Sequence, residues 1–264
     1  MSAYDAILDG WAVVAPRVAA LREPAARCHA VWARGLPLLA HTPPSLRRDD
    51  VEPLLETAMA GAVAVAPADA TALDRFAAAW DEARVGPDDL LPGKGRLGSA
   101  RAHTECSLRS ETIGFLAVAA LRPALGEYFS LAREHVPDRT WELGICPYCG
   151  APPGFADIGE DGQRALACHL CGGAWTFSRT RCPFCGSDAT SHLARLELGD
   201  REEGYVITGC RGCSAYVKEL DRRTRWNGGP ALAEDWGSPH FDLAARRHGF
   251  WRPVASLLDL APDS

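Results

Sequence analysis

Apolar residues recur at helical spacing through the first half of the chain. Between Arg48 and Ala64, Val51, Leu54, Leu55 and Met59 fall on one face, and between Pro67 and Arg84 the same holds for Leu73, Phe76 and Trp80. Ser107 to Arg122 places Leu108, Thr112, Phe115 and Ala119 on a third stripe. A further helix is predicted within Val13–Gly35, starting at Pro16 or Pro24, because proline fits the first turn, where its missing N–H is no loss. Pro123 is expected to begin a new segment bearing Leu125, Tyr128 and Phe129. The pattern predicts five to seven helices over residues 1–140. Gly86 to Ser99, with Pro87, Pro92, Gly93, Gly95 and Gly98, is expected to be a mobile linker, and Gly93-Lys94-Gly95 within it lacks the leading glycine spacing of a phosphate loop.

Near Val136–Gly144 the helical period stops and short extended runs begin. Phe155 to Ile158, a Glu160-Asp161-Gly162 turn and Ala165 to Ala167 read as one β-hairpin. His192 to Leu198, a polar Gly199–Gly204 stretch and Tyr205 to Ile207 read as a second. Beyond Arg225-Trp226-Asn227-Gly228-Gly229, the segment Ala231–Leu260 is expected to form a last helix and apolar tail carrying Leu243, Arg247, Phe250 and Trp251. The fold class is therefore α+β. The expected division is a helical domain over 1–140, small β-hairpin modules over 141–178 and 179–229, and a C-terminal helix and tail over 230–264.

The chemistry lies in the hairpin region. Four C-x-x-C pairs stand there: Cys146/Cys149, Cys168/Cys171, Cys182/Cys185 and Cys210/Cys213. Two residues between cysteines let a tight turn aim both sulfurs at one ion, so each pair is half of a tetrahedral site. Eighteen residues separate Cys149 from Cys168 and 24 separate Cys185 from Cys210, and each gap holds one of the hairpins. This order predicts one metal site from Cys146, Cys149, Cys168 and Cys171 and a second from Cys182, Cys185, Cys210 and Cys213, with crossed pairing of first and third turns as the alternative. Only ten residues part Cys171 from Cys182, so the modules should pack together or share strands around Trp175 and Phe177. Glycine follows the second cysteine at Gly150, Gly172 and Gly186, where φ > 0 closes the turn; Ser214 breaks that pattern. Four thiolates suit zinc, which would be structural because no position is left for water, and suit iron equally, which would allow redox change. A thioredoxin-type dithiol calls for a strand before and a helix after the motif, whereas hairpins follow here. Cys28 and Cys106 read as small core residues, and His169, inside the second turn, as exposed.

Composition narrows the function. Lys and Arg number 28 against 34 Asp and Glu, a net charge of −6 without a basic segment, which disfavours nucleic-acid binding by counterion release. The run Arg222-Arg223-Thr224-Arg225 reads as solvated surface. The longest apolar run, Ala58–Ala68, is about half of the ~20 residues a membrane helix needs. Asp5 and Asp9 stand where a secretory leader would carry basic residues. Eight cysteines kept as thiolates imply a reducing compartment, so the cytoplasm is expected. No G-x-S-x-G, P-loop, G-x-G-x-x-G or H-E-x-x-H constellation is present, and no catalytic residue or organic cofactor is expected.

In the order of its motifs, the chain from about residue 141 to 251 resembles the formate dehydrogenase accessory protein (FdhE-like) family. The matching residues are Cys146-Pro147-Tyr148-Cys149-Gly150, Leu166-Ala167-Cys168-His169-Leu170-Cys171 followed by Trp175, Arg181-Cys182-Pro183-Phe184-Cys185, and Cys210-Arg211-Gly212-Cys213 followed by Tyr216-Val217-Lys218. Ala233-Glu234-Asp235, Asp242-Leu243 and Gly249-Phe250 are similar to the family's tail. The resemblance implies rubredoxin-like iron sites in a cytoplasmic, non-enzymatic maturation factor that binds the catalytic subunit of a respiratory formate dehydrogenase before that subunit is exported. The family often has Leu where Val217 stands and Glu-Thr where Gly173-Ala174 precede the tryptophan, and neither difference touches a sulfur. A rubredoxin-like electron carrier or redox sensor and a zinc-ribbon nucleic-acid module are the alternatives. The cleft between the helical half and the paired hairpins is the expected docking surface.

Overall fold

The structure, a computed structural model, describes residues 3–260 apart from 15–16, 94–96, 99, 136–140 and 197–201. Among the described residues, seven α-helices fill the first half: α1 (Ala3–Val13), α2 (Ala25–Trp32), α3 (Leu38–His41), α4 (Arg48–Val65), α5 (Ala70–Asp81), α6 (Ala100–Cys106) and α7 (Ser110–Tyr128). The stripes anticipated on α4 and α5 are buried: Val51, Leu54 and Leu55 on one, Leu73, Phe76 and Trp80 on the other. Helix α7 is buried on nearly every side, from Thr112 to Leu125, because it runs between α4 and the rest of the core.

Within Val13–Gly35 the helix α2 begins directly after Pro24, one of the two anticipated starts, while α1 ends at Val13. Two other expectations about the first half need correcting. Pro123 does not start a segment but lies inside α7. Proline there leaves the carbonyl of Ala119, four residues back, without its helical donor. The indole Nε1–H of Trp11 supplies the missing hydrogen bond at 2.7 Å, from a residue more than a hundred positions away. The stretch after Gly86 is not free linker either. Pro87–Leu90 forms a 3-10 turn, the Gly86 N–H donates to the Asp89 carboxylate at 3.0 Å, and Leu90 and Leu97 are buried. Lys94 and Gly95 lie outside the described residues, as does much of the anticipated boundary near Val136.

Six strands follow: β1 (Phe155–Ile158), β2 (Arg164–Ala167), β3 (Ala174–Thr176), β4 (Leu193–Leu196), β5 (Tyr205–Cys210) and β6 (Tyr216–Asp221). Both anticipated hairpins form, β1–β2 and β4–β5, although the middle of the second connection is outside the described residues. All six strands share one sheet in the order β3-β2-β1-β6-β5-β4. The modules join through parallel pairing of β1 with β6, Ala156 opposite Glu219 to Ile158 opposite Asp221, rather than around Trp175, which sits on the outer strand β3. Each module thus contributes three antiparallel strands, and the first strand of one lies beside the last strand of the other.

The principal core runs from Ile7 through Trp32, Phe115 and Phe129 to Tyr148, Leu166, Trp175 and Leu260. Helices and first cysteine module therefore share one interior. A second cluster, Phe155, Tyr205, Ile207, Tyr216, Leu220, Phe241 and Phe250, lies between the sheet and the C-terminal helices α8 (Ala231–Trp236) and α9 (Pro239–Arg247). A last short helix, α10 (Leu257–Leu260), returns to α4 and α7, where the Leu260 carbonyl accepts from Arg109 and the Leu257 N–H donates to Tyr4.

Substituting Trp11→Phe keeps an aromatic ring, though a smaller one, and removes the donor to Ala119. The expected loss is about 1–3 kcal/mol, the penalty of an orphaned buried carbonyl. Urea denaturation of the two proteins measures it, and an unchanged midpoint would show that Pro123 needs no such support.

Candidate metal centres

Each C-x-x-C pair forms the same local turn. In the first, the Cys146 N–H donates to the Ala151 carbonyl at 2.8 Å, and the Gly150 N–H donates back to the Cys146 carbonyl at 2.8 Å. The pattern repeats at Cys168 with Gly172 and Gly173, at Cys182 with Gly186 and Ser187, and at Cys210 with Ser214 and Ala215. Closing the turn puts the residue after the second cysteine in the left-handed region: Gly150 at φ 80°, Gly172 at 76°, Gly186 at 74° and Ser214 at 57°. Ser214 therefore adopts the glycine conformation despite its Cβ, and the fourth turn has the geometry of the other three.

The turns converge in sequential order. Cys146, Cys149, Cys168 and Cys171 form one group and Cys182, Cys185, Cys210 and Cys213 another, with the sulfurs of each within 4.8 Å of one another. Across the first group Cys146–Cys171 is 3.6 Å and Cys149–Cys168 is 3.5 Å; across the second, Cys182–Cys213 and Cys185–Cys210 are both 3.7 Å. A tetrahedron with metal–sulfur bonds of ~2.3 Å has edges of about 3.8 Å. The separations fit that figure, so each group can hold a metal ion.

Without an ion the thiols of each group do not share one charge state. Burial pushes Cys146 and Cys149 well above the ordinary thiol range, and it raises Cys182 strongly and Cys213 to about 11. Burial opposes ionisation at Cys168 and Cys210 too, but hydrogen bonds from neighbouring sulfurs and turn N–H groups outweigh it and lower both. The protein alone thus favours a partly ionised set. Only a cation at the centre makes four adjacent thiolates compatible with such burial.

Different parts of the chain clamp the turns. The Pro147 carbonyl accepts from Trp32 Nε1 and the Leu38 N–H, both at 2.9 Å, and the Tyr148 carbonyl accepts from the Leu39 N–H at 2.8 Å. The second turn is held by two arginines: Arg122 donates to the Cys168 and His169 carbonyls, and Arg133 donates to that of Cys171. The fourth is held by Trp251, whose Nε1 donates to the Cys213 carbonyl and whose N–H donates to that of Ser214. All four sulfur-bearing residues of the first group are buried, whereas in the second Cys185 is exposed and Cys213 half-buried.

His169 is not exposed as anticipated. It is 2 % accessible, its ring lies where a Cβ on Gly154 would fall, and its Nε2 sits 2.8 Å from Asp235 Oδ2. Asp235 belongs to a buried network that the sequence did not reveal. Lys218 Nζ lies 2.7 Å from Asp235 Oδ1 and 3.0 Å from Asp242 Oδ2, while Arg252 bonds both carboxylates at 2.9–3.0 Å and Tyr216 donates to Asp242 at 2.6 Å. Two cations face two carboxylates, so β6, α8, α9 and the second cysteine turn are tied by balanced charge. The arginine run after β6 is likewise engaged: Arg222 pairs with Asp157, Arg223 with Asp221, and Arg225 lies over the Tyr205 ring. Cys28 and Cys106 are buried outside both groups.

No family model matches the chain. It is 34 % identical over 170 residues to an FdhE homologue of Pseudomonas aeruginosa and 30 % identical over 168 residues to one of Aquifex aeolicus. Those matches cover 54 % and 61 % of this chain, and 51 % and 56 % of the relatives, so the chain spans about half the length of the curated relatives it matches. The crystal structure of the FdhE protein from Pseudomonas aeruginosa superposes with a TM-score of 0.60 at 23 % identity, over 99 % of this chain and 87 % of that one. The chain is similar to FdhE proteins in part of its sequence and in its fold. The fold shared with that crystal structure is α+β, and in this chain its C-terminal region carries two four-cysteine groups that fit ribbon-type metal modules.

Two substitutions probe this frame. Ser214→Gly relieves the left-handed strain, of order 1–2 kcal/mol less the ~0.5–1 kcal/mol of glycine's extra freedom, so the metal-loaded variant should melt slightly higher; a lower melting temperature would contradict it. Lys218→Met leaves the two buried aspartates with one cation too few, and the expected destabilisation is ~3–5 kcal/mol by urea titration. A loss below ~1 kcal/mol would mean that Arg252 alone balances both carboxylates.

Proposed function

We propose that this FdhE-like chain is a non-enzymatic accessory factor that binds the catalytic subunit of a formate dehydrogenase and supports its maturation in the cytoplasm before export. The observation that carries the reading is the pair of four-cysteine groups within a fold shared with an FdhE protein, together with 30–34 % identity to FdhE homologues. In this reading the eight cysteines each ligate an ion, iron or zinc, and the ions act as fasteners for a rigid surface.

The proposed surface has two parts. At the seam between helices and first module lies a cleft of about 260 Å³, lined by Trp11, Arg122, Pro123, Gly126 and Arg133. A stable protein interface buries roughly 800 Å² on each side, so contacts beyond this cleft are required. Leu243 and Trp251 are exposed large apolar residues in the C-terminal segment, and Trp251 also clamps the Cys213 turn, which would couple partner contact to the second centre. No helix among the described residues is long and apolar enough to cross a membrane, which suits a partner met before export.

The test is affinity capture of the tagged chain from anaerobically grown cells, with metal analysis of the same sample. The expected result is two ions per chain and co-purification of the formate dehydrogenase catalytic subunit, with capture lost in Cys149→Ser and Cys213→Ser variants that each bind fewer ions. Recovery of a reductase with reversible visible absorbance would favour electron transfer instead, and salt-sensitive recovery of nucleic acid would favour a ribbon module. Full metal content in both variants would refute the ligand assignment.

A further inference from the structure

The two cysteine groups have the same local turns and opposite surroundings. The first lies inside the principal core, with Cys146 and Cys171 at 0 % and Cys149 and Cys168 at 2 % exposure. Two guanidinium groups stand against its second turn. Arg122 Nη1 donates to the Cys168 carbonyl at 3.3 Å and also to that of His169, and its guanidinium lies 5.5 Å from the Trp11 ring centroid. Arg133 Nη2 bridges the carbonyls of Gly126 and Cys171. Both converge on Gly172: a Cβ there would lie 3.3 Å from Arg122 Nη2 and 3.6 Å from Arg133 Nη2. Among the described residues neither arginine forms an ion pair with a carboxylate, whereas the buried Arg164 and Arg252 both do. Arg133 Nε is buried without a hydrogen-bond partner.

Two half-buried cations without carboxylates, lining the cleft with their guanidinium groups against the Cys168–Cys171 turn, are suited to a negative charge at that turn. A divalent ion with four thiolates carries a net charge of 2−, and a trivalent one carries 1−. Two arginines match the first. At the second group no such pair exists among the described residues. The nearest equivalent, Arg181, donates to the Gly186 carbonyl at 3.4 Å and is half-buried like Arg122 and Arg133, but it already faces a carboxylate, Glu142 at 4.0 Å. There the exposed Cys185 lets solvent do the work of counter-charge.

Building on the metal-binding reading above, we propose that Arg122 and Arg133 are the counter-charges of the first centre, locking a divalent ion into the core, and that the second centre is the one that exchanges its ion with solvent. The arginines are positioning residues; they touch turn carbonyls, not the ion. The centres would then divide the work, the first keeping the two halves together and the second responding to chelators, thiols or metal supply.

The test uses the full chain loaded with zinc, challenged with a chromogenic chelator and iodoacetamide, with alkylated cysteines identified by peptide mass spectrometry. Two phases of one ion each are expected. The fast one labels Cys182, Cys185, Cys210 and Cys213, and the slow one labels Cys146, Cys149, Cys168 and Cys171. In an Arg122→Gln, Arg133→Gln double variant the slow phase should accelerate tenfold or more and the fast phase stay unchanged. The Arg→Lys pair, which keeps the charge and loses the fork, should restore most of the slow release. With iron in both centres, the glutamine variant should lower the reduction potential of the first centre only, because the lost cations favoured the 2− state; a tenfold change in that preference corresponds to about 59 mV. Release in a single phase, early labelling of the first group, or lysine variants that behave like glutamine would overturn the proposal while leaving metal binding intact. Uptake of fewer than two ions would overturn the metal reading beneath it.

Discussion

Four thiolates packed together in a protein core require a cation among them. Here one such set lies in the same interior as the helices: Trp32 meets Tyr148 edge-on with centroids 5.9 Å apart, Phe129 lies 6.1 Å from the same ring, and both flank the Cys146–Cys149 turn. Structural metal sites of this type contribute ~10–16 kcal/mol to folding. A whole domain is stable by only about 5–15 kcal/mol, so an ion bound at this position would govern the stability of both halves. With an ion bound, the first centre would be a keystone, because the helices and the first cysteine module share one interior.

The duplicated turns show how a repeat acquires two roles. Their internal hydrogen bonds are equivalent, down to the left-handed residue at Ser214. What differs is the donor that reaches each turn from outside: the indole of Trp32 and the start of α3 at the first, arginines at the second, the indole of Trp251 at the fourth. Helices bury one centre and leave the other at the surface. The sheet adds a further asymmetry, because β1 of one module lies beside β6 of the other instead of meeting its own counterpart. No two-fold relation makes the centres equivalent.

The parts of this structure that were legible in the sequence are those set by local rules. The C-x-x-C spacing, the glycines that follow it and the hydrophobic stripes of α4 and α5 each depend on residues a few positions apart, and the helices, hairpins and sulfur clusters formed as expected. What escaped notice depends on distant partners. Pro123 lies within a helix because Trp11 replaces its hydrogen bond. His169 is buried because Asp235, 66 residues away, receives it. Strand β6, with Lys218 and Glu219 at its middle, has no alternating pattern because both of its faces are covered and its polar side chains are neutralised inside. The signal that was available is the unusual charge within the run Tyr216–Asp221, directly after a cysteine turn where a strand was needed to complete the module.

That buried charge also explains why the modules hold one orientation. Apolar contacts between β6 and the C-terminal helices would permit sliding, since dispersion is non-directional. A lysine, an arginine and two aspartates with hydrogen-bond distances near 3 Å allow few alternatives. Such networks add little net stability over an apolar replacement, and their best-attested use is to fix register. Asp235 joins this network to His169 in the second cysteine turn, while Trp251, one residue before Arg252, holds the fourth. The distance and angle between the two centres are therefore set by one continuous set of polar bonds, and a surface that spans both is presented in a single geometry.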